Sequence, residues 1–459
     1  MTFNSEMLIM NDQCSVTHVF KRDGTLVPYS RQRITNAIYR AAVAVGGRDK
    51  DKADALALQV EAIICDNYSN AHPIMVEQVQ DIVEKVLIEE GHASVAKNFI
   101  LYRATQNDKR KAKLSKSTVH TGNIPYQKIY EVLVWASDHD LNSVEKMNQR
   151  IAMGDFREIC LESDAAYEYD VQAAAELISE REEKTRIVVV AGPSSSGKTT
   201  TTRKLAHYLS KKGMGLVELN VDNYFFDLEM HPVDEFGDHD FETPQALDLK
   251  LINEHIRALL AGEEVRTPKY DFKSGTRALD QIPMKIKASD IILIDSLHGL
   301  YGDMLKDIDP TTVFKVYIET LLQMKGANGK FIRWTDLRLM RRIIRDEAHR
   351  GYDPRQTLTH WHYVRNAELR NILPYINSAD YVINGAVPYE LPVMRNRLYD
   401  HFKQWEEDYR DDPRRVDAYI RAKRVREMLE SITPVSDESP IPETSHFREF
   451  IGGSIYDVH

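Results

Sequence analysis

The stretch Gly192-Pro193-Ser194-Ser195-Ser196-Gly197-Lys198-Thr199 constrains this chain more than any other. It follows the apolar run "RIVVV" and opens the helical pattern "TTTRKLAHYLSKK". A strand, this loop and a helix in that order form the phosphate-binding pattern G-x-x-x-x-G-K-[ST]. The two glycines let the backbone wrap an anion. N–H groups of the loop and of the helix N-terminus then face the negative charge. Ser194, Ser195, Ser196 and Thr200 complete the lining, Lys198 is spaced to reach β and γ phosphates, and Thr199 to ligate Mg²⁺. Nucleotide binding is expected here. The motif is silent on what receives the terminal phosphate.

The surroundings alternate short apolar runs with helical stretches. Strands are expected at 187–191, 216–221, 290–295, 313–318 and 380–384. That alternation predicts an α/β fold, a parallel sheet with helices on both faces. Before it, 16–107 predicts a mostly helical unit opened by a hairpin turning at Asp23-Gly24, with helices at 31–45, 51–67, 74–90 and 92–106. Ser30 is the expected N-cap of the first helix, and Gly91 the stop of the third. A basic connector at 108–122 and a helical region lead to residue 183; the phosphate-loop domain is expected at 184–400, and a charged helical extension with a docking tail at 401–459.

A net charge of −10 argues against nucleic-acid and anionic-membrane partners, which call for a basic surface. No apolar run approaches the roughly 20 residues of a membrane span. No signal peptide is read in "MTFNSEMLIMNDQ". Cys14, Cys65 and Cys160 have no metal-ligand spacing and read as reduced thiols, so a cytoplasmic protein is expected.

Two acidic residues end strands beside the loop. "GLVELNV" runs into Asp222, placed to take a proton from an attacking hydroxyl. "DIILID" ends at Asp295, positioned to hold Mg²⁺, with His298 three residues on as a substrate contact. In "TDLRLMRRIIRDEAHRGYDP", Arg338, Arg341 or Arg342, and Arg345 are spaced for one helical face. Guanidinium groups suit bidentate capture of phosphoryl oxygens, so these residues predict a lid.

"VDNYF", "DFETPQALDLKLINEHIRALLAGEEV", "PKYDFKSGTR" and "TDLRLMRRIIRD" together resemble the uridine kinase and phosphoribulokinase family of P-loop kinases, over about 186–390. The resemblance is closest to a bacterial nucleoside kinase branch. It implies that Lys198 and Thr199 bind ATP and Mg²⁺, and that Asp222 is the catalytic base. Asp240 and Arg338 would hold ribose hydroxyls. Tyr270 and Phe272 would line a base pocket with Arg277 near it, and Arg341, Arg342 and Arg345 would belong to the lid. The chain departs from the family at Asp240-Phe241-Glu242, where uridine kinases carry Asp-His-Pro, and at Gly275, where they carry a histidine that reads the pyrimidine edge. Loss of such a reader removes the discrimination it supplied.

"VFKRDGTLVPYSRQRITNAI", "VEQVQDIVEKVL" and "AKNFILYR" resemble an ATP-cone, a regulatory domain that senses ATP against dATP. The resemblance implies nucleotide contacts at Val19, Lys21 and Arg22, a phosphate contact at Lys97, and nucleotide-dependent homo-oligomers. The expected whole is an ATP- and Mg²⁺-dependent kinase of a small-molecule phosphoacceptor, a nucleoside 5′-hydroxyl foremost, with regulatory ATP or dATP. A sugar, sugar phosphate or hydroxy acid acceptor on the same fold is the nearest alternative. A non-catalytic nucleotide sensor acting by assembly is the other.

Overall fold

A computed structural model of the chain describes residues 16–20, 26–47, 49–69, 74–101, 123–181, 184–231, 242–272, 274–350 and 353–456. The chain divides into two compact units, Met1–Thr121 and Gly122–His459. In the first, strands β1 (His18–Phe20) and β2 (Leu26–Pro28) pair antiparallel. Helices α1 (Arg31–Ala44), α2 (Lys50–Asn67) and α3 (Val76–Glu89) follow, then a helical run at 93–101. Ile34, Ile38, Val60, Ile64, Val83 and Leu87 recur at helical spacing and meet in one core. Ser30 does cap α1 by position, but its side chain makes no capping hydrogen bond. Cys65 is disulfide-bonded, which corrects the expectation of three reduced thiols; Cys160 is free and buried. Spacing along a chain does not reveal which cysteines meet in space.

The second unit opens with α4 (Tyr126–Asp138), α5 (Val144–Ala152) and α6 (Phe156–Glu180). Its sheet comprises β3 (Ile187–Ala191), β4 (Leu216–Glu218), β7 (Ile291–Ser296), β8 (Val313–Glu319) and β9 (Tyr381–Asn384), in the parallel order β4-β7-β3-β8-β9. Strand β3 is central and apolar at every position because both its faces are covered. Ile187, Val189 and Ala191 join a core with α8 (Leu249–Leu260), while Val188 and Val190 meet α6 and α7 (Lys198–Lys211) on the other side. The helical region that leads into β3 covers one face of the sheet through α6.

Residues 265–284, not expected as strands, form an antiparallel hairpin of β5 (Val265–Asp271) and β6 (Thr276–Met284). A third core gathers α9 (Trp334–Arg345), α10 (Pro354–Asn371), α11 (Glu390–Tyr409), α12 (Val416–Glu430) and the tail residues Phe447 and Phe450. No helix among the described residues is long and apolar enough to cross a membrane.

Candidate active site

The phosphate loop leaves β3 at the carboxyl end of the sheet, where open α/β folds bind ligands. Its curvature needs particular residues. Gly197 stands at φ +95°, and a Cβ on Gly192 would lie 2.3 Å from the carbonyl oxygen of Ile318. Ser195 also takes positive φ, at 60°. The hydroxyls of Ser195 and Ser196 are buried without a hydrogen-bond partner among the described residues, as fits a cradle made for anionic oxygens. Lys198 Nζ donates to the carbonyl of Pro193 at 3.1 Å. Burial holds the Lys198 ammonium below its ordinary pKa, against the opposing pull of Asp295 and Glu449.

Asp295 ends β7 next to the loop. Burial pushes its carboxyl up to about 6, opposed by Lys198, while the Asp222 charge adds to the rise. Thr199 hydrogen-bonds to it. Asp222 itself is exposed, in a single 3₁₀ turn at Val221–Tyr224, with its N–H donating to the Asn220 side chain at 3.0 Å. Two carboxylates and a hydroxyl are hard oxygen donors of the kind Mg²⁺ takes alongside substrate phosphates. His298 is buried beside Glu242 and Lys198, and burial pushes its imidazole down to about 4, so the ring is neutral at pH 7.

An aromatic wall follows the turn that carries Asp222. Phe225, three residues on, lies 5.6 Å from Tyr270 and 6.0 Å from Phe272, and those two rings are 4.9 Å apart. Asn223 accepts the N–H of Tyr270 at 3.2 Å, which ties the hairpin to the acidic turn. Tyr270 is buried and Phe272 is 63% exposed. Arg277 does not reach outward: it pairs with Asp248 at 3.0 Å and lies over the Phe226 ring. At Gly275 an added Cβ would stand 2.9 Å from Cβ of Leu228, so Leu228 closes the space of a side chain there.

The arginines of α9 divide by depth. Arg342 pairs with Glu242 at 2.8 Å and donates to the Ser194 hydroxyl at 3.2 Å. Arg345 pairs with Asp346 at 2.8 Å, close enough for its charge to bear on Lys198. Burial is the largest influence on Glu242 and opposes its charge, but the Arg342 guanidinium together with the charges around it holds the carboxyl below its ordinary value. Arg338 and Arg341 depart from the expected lid and ribose contacts, because both are fully buried. Arg338 pairs with Glu319 at 2.9 Å and donates to Glu368 and to the carbonyl of Ser194. Arg341 donates to Glu390 at 2.6 Å and to the carbonyls of Ser195, Ser196 and Gly385. They brace the loop from beneath.

Of the remaining expected residues, Val19 packs in the core of the first unit and Lys97 is exposed. Lys21, Arg22 and Asp240 lie outside the described residues. The acidic partners Glu242, Glu319, Glu368 and Glu390 were not expected. Only a rule that a buried arginine demands a buried carboxylate would have called for them.

A parallel sheet carrying this loop at the end of its central strand, with two carboxylates at neighbouring strand ends, is the architecture of a P-loop kinase. The comparisons agree. A family model described as phosphoribulokinase / uridine kinase family matches residues 187–390, and one described as ATP cone domain matches 17–108. The uridine kinase of Bacillus pumilus is 31% identical over 168 residues, 37% of this chain and 70% of that protein. The uridine kinase of Deinococcus deserti is 29% identical over 198 residues, 43% of this chain and 86% of that protein. That of Halobacterium salinarum is 29% identical over 131 residues, 28% of this chain but only 50% of the relative's length. The chain belongs to the phosphoribulokinase / uridine kinase family and carries an ATP cone domain at its N-terminal side. It is a nucleotide-binding phosphotransferase with an alcohol acceptor, a small-molecule kinase.

Proposed function

We propose that the chain is an ATP- and Mg²⁺-dependent nucleoside kinase that phosphorylates the 5′-hydroxyl, under control of ATP or dATP at its N-terminal unit. The observation that carries the nucleoside reading is the aromatic wall of Phe225, Tyr270 and exposed Phe272, which follows the turn carrying Asp222 and is tied to it through Asn223. A base stacked there would set its ribose against the carboxylate. Asp222 takes the hydroxyl proton as that oxygen bonds to the γ-phosphorus and the bond to the β-phosphate oxygen breaks, releasing ADP. Lys198, Arg342 and Arg345 hold the charge of the transferring group. Thr199 and Asp295 would hold Mg²⁺, which when bound neutralises phosphate charge. Two nucleotide sites in one chain fit a division of labour, one for transfer and one for sensing the pool, with coupling of about 1–3 kcal/mol. On this reading 16–107 senses, 184–400 transfers, and nucleotide changes the state of assembly.

One observation favours a second reading. Leu228 fills the place of a pyrimidine-reading side chain at Gly275, which supports an acceptor other than uridine or cytidine, including a sugar or hydroxy acid. ADP release with ATP and Mg²⁺ against nucleosides, sugars and hydroxy acids, with and without dATP, decides between them. One nucleoside is expected to stimulate release, and Asp222→Asn to cut that rate by about 10²–10⁴-fold. Stimulation by sugars alone would replace the nucleoside reading, and an unchanged Asp222→Asn rate would remove the base. Indifference of rate and particle size to dATP would remove the sensing role.

A further inference from the structure

The first turn of α7 supplies backbone N–H groups to the phosphate site, because a helix has no internal acceptors for them. One of those donors is already engaged. The N–H of Thr200 donates to Glu449 Oε2 at 3.1 Å, and the Thr200 hydroxyl donates to the same oxygen at 2.7 Å. Glu449 comes from the C-terminal tail, 249 residues away in sequence, and is 5% exposed. Its charge bears on both Lys198 and Asp295, so it lies within the field of the site.

The tail is built to deliver this carboxylate. The His446 ring stacks on Tyr167 with centroids 4.0 Å apart, and its Nε2 lies 2.8 Å from the carbonyl oxygen of Gly385. Cδ2 of His446 stands 3.2 Å from where a Cβ on Gly197 would be, directly against the loop. Phe447 and Phe450 are buried on either side of Glu449 in sequence, and Arg448 donates to the carbonyls of Glu438 and Ile441. These anchors fix the backbone. The carboxylate alone can move, by rotation about its own side-chain bonds.

We propose that Glu449 is an internal competitor for nucleotide phosphate. Its carboxylate imitates a phosphate oxygen on the N–H and hydroxyl of Thr200 and must swing away for a nucleoside di- or triphosphate to seat. Two anions cannot share one pair of donors, since both the hydrogen bonds and the like charges forbid it. Nucleotide therefore binds against the tail, and the tail sets the affinity of the site. This inference rests on the reading of the loop as a nucleotide site.

The test is calorimetric titration of the full chain with ADP and Mg²⁺, comparing wild type with Glu449→Gln, which keeps the volume and removes the charge. The Kd of the variant is expected to fall about tenfold, or about 1.4 kcal/mol. A second variant, Glu449→Ala, removes the carboxylate and its hydrogen bonds altogether and is expected to tighten ADP binding at least as much. Equal or weaker ADP binding by both variants overturns the inference while the nucleotide site stands. Binding to none of the three proteins overturns both.

Discussion

The phosphate loop has two sides, and the same helix serves both with the same residue type. Beneath it, Arg338 and Arg341 are fully buried and locked onto Glu319, Glu368 and Glu390 and onto loop carbonyls. At the mouth, Arg342 and Arg345 remain partly exposed and bear on Ser194 and Lys198. Positions 338, 341 and 345 fall on one face by helical spacing, yet 338 and 341 go inward while 342 and 345 line the site. Spacing fixes direction around a helix axis. What lies in that direction, a carboxylate in a core or an open crevice, is decided by elements far away in sequence.

The contrast breaks most easily at Glu390. Glu390→Gln leaves the buried Arg341 charge without its counter-ion, and breaking such a pair costs about 3–5 kcal/mol. Urea unfolding should show that loss. Were the stability unchanged while the rate per folded molecule collapsed, Arg341 would belong to the chemistry after all. At the mouth the signs reverse. Arg342→Ala should lower kcat by about 10²-fold, in the range of a lost donor to developing charge, and cost stability only about 1 kcal/mol. A variant that unfolds but turns over normally when folded would move Arg342 to the underside.

Much of this was legible in the sequence, for identifiable reasons. Strand β3 appears at 187–191 as expected, because a strand covered on both faces is a continuous apolar run. The loop motif is a local pattern, and so are Asp222 and Asp295 at the ends of apolar runs. The breaks at Gly154 and Pro413 also fall between helices. The β5–β6 hairpin escaped notice because β6, Thr276–Met284, is exposed along most of its length and carries no clean alternation. Glu449 on Thr200 and Glu390 on Arg341 escaped because a carboxylate reveals no partner until the chain has folded. The first unit was read from its helical periodicity, while its nucleotide contacts were carried by resemblance alone.

The smallest effect probes the support of the underside. Asp164 accepts from the Tyr389 hydroxyl at 2.7 Å and from the Ser445 hydroxyl at 3.1 Å, next to Glu390 and His446 in the chain. Its other oxygen is buried with no hydrogen-bond partner among the described residues. Burial pushes this carboxyl from 3.8 up to about 6, although Tyr389, Ser445 and Lys204 favour the charged form. The folded state therefore holds the proton more tightly than the unfolded one. Between these two values the folded chain carries more protons, so stability falls as pH rises from about 4 through 6 and the contribution is gone above it. Asp164→Asn removes the charge at every pH. By urea unfolding the variant should be the more stable protein at pH 8, by about 1–2 kcal/mol, because the new amide N–H₂ must still find an acceptor. That advantage should shrink to nothing near pH 5. A gap that stays constant with pH would mean that Asp164 is ionised throughout, and that the underside tolerates a bare charge as readily as the mouth does.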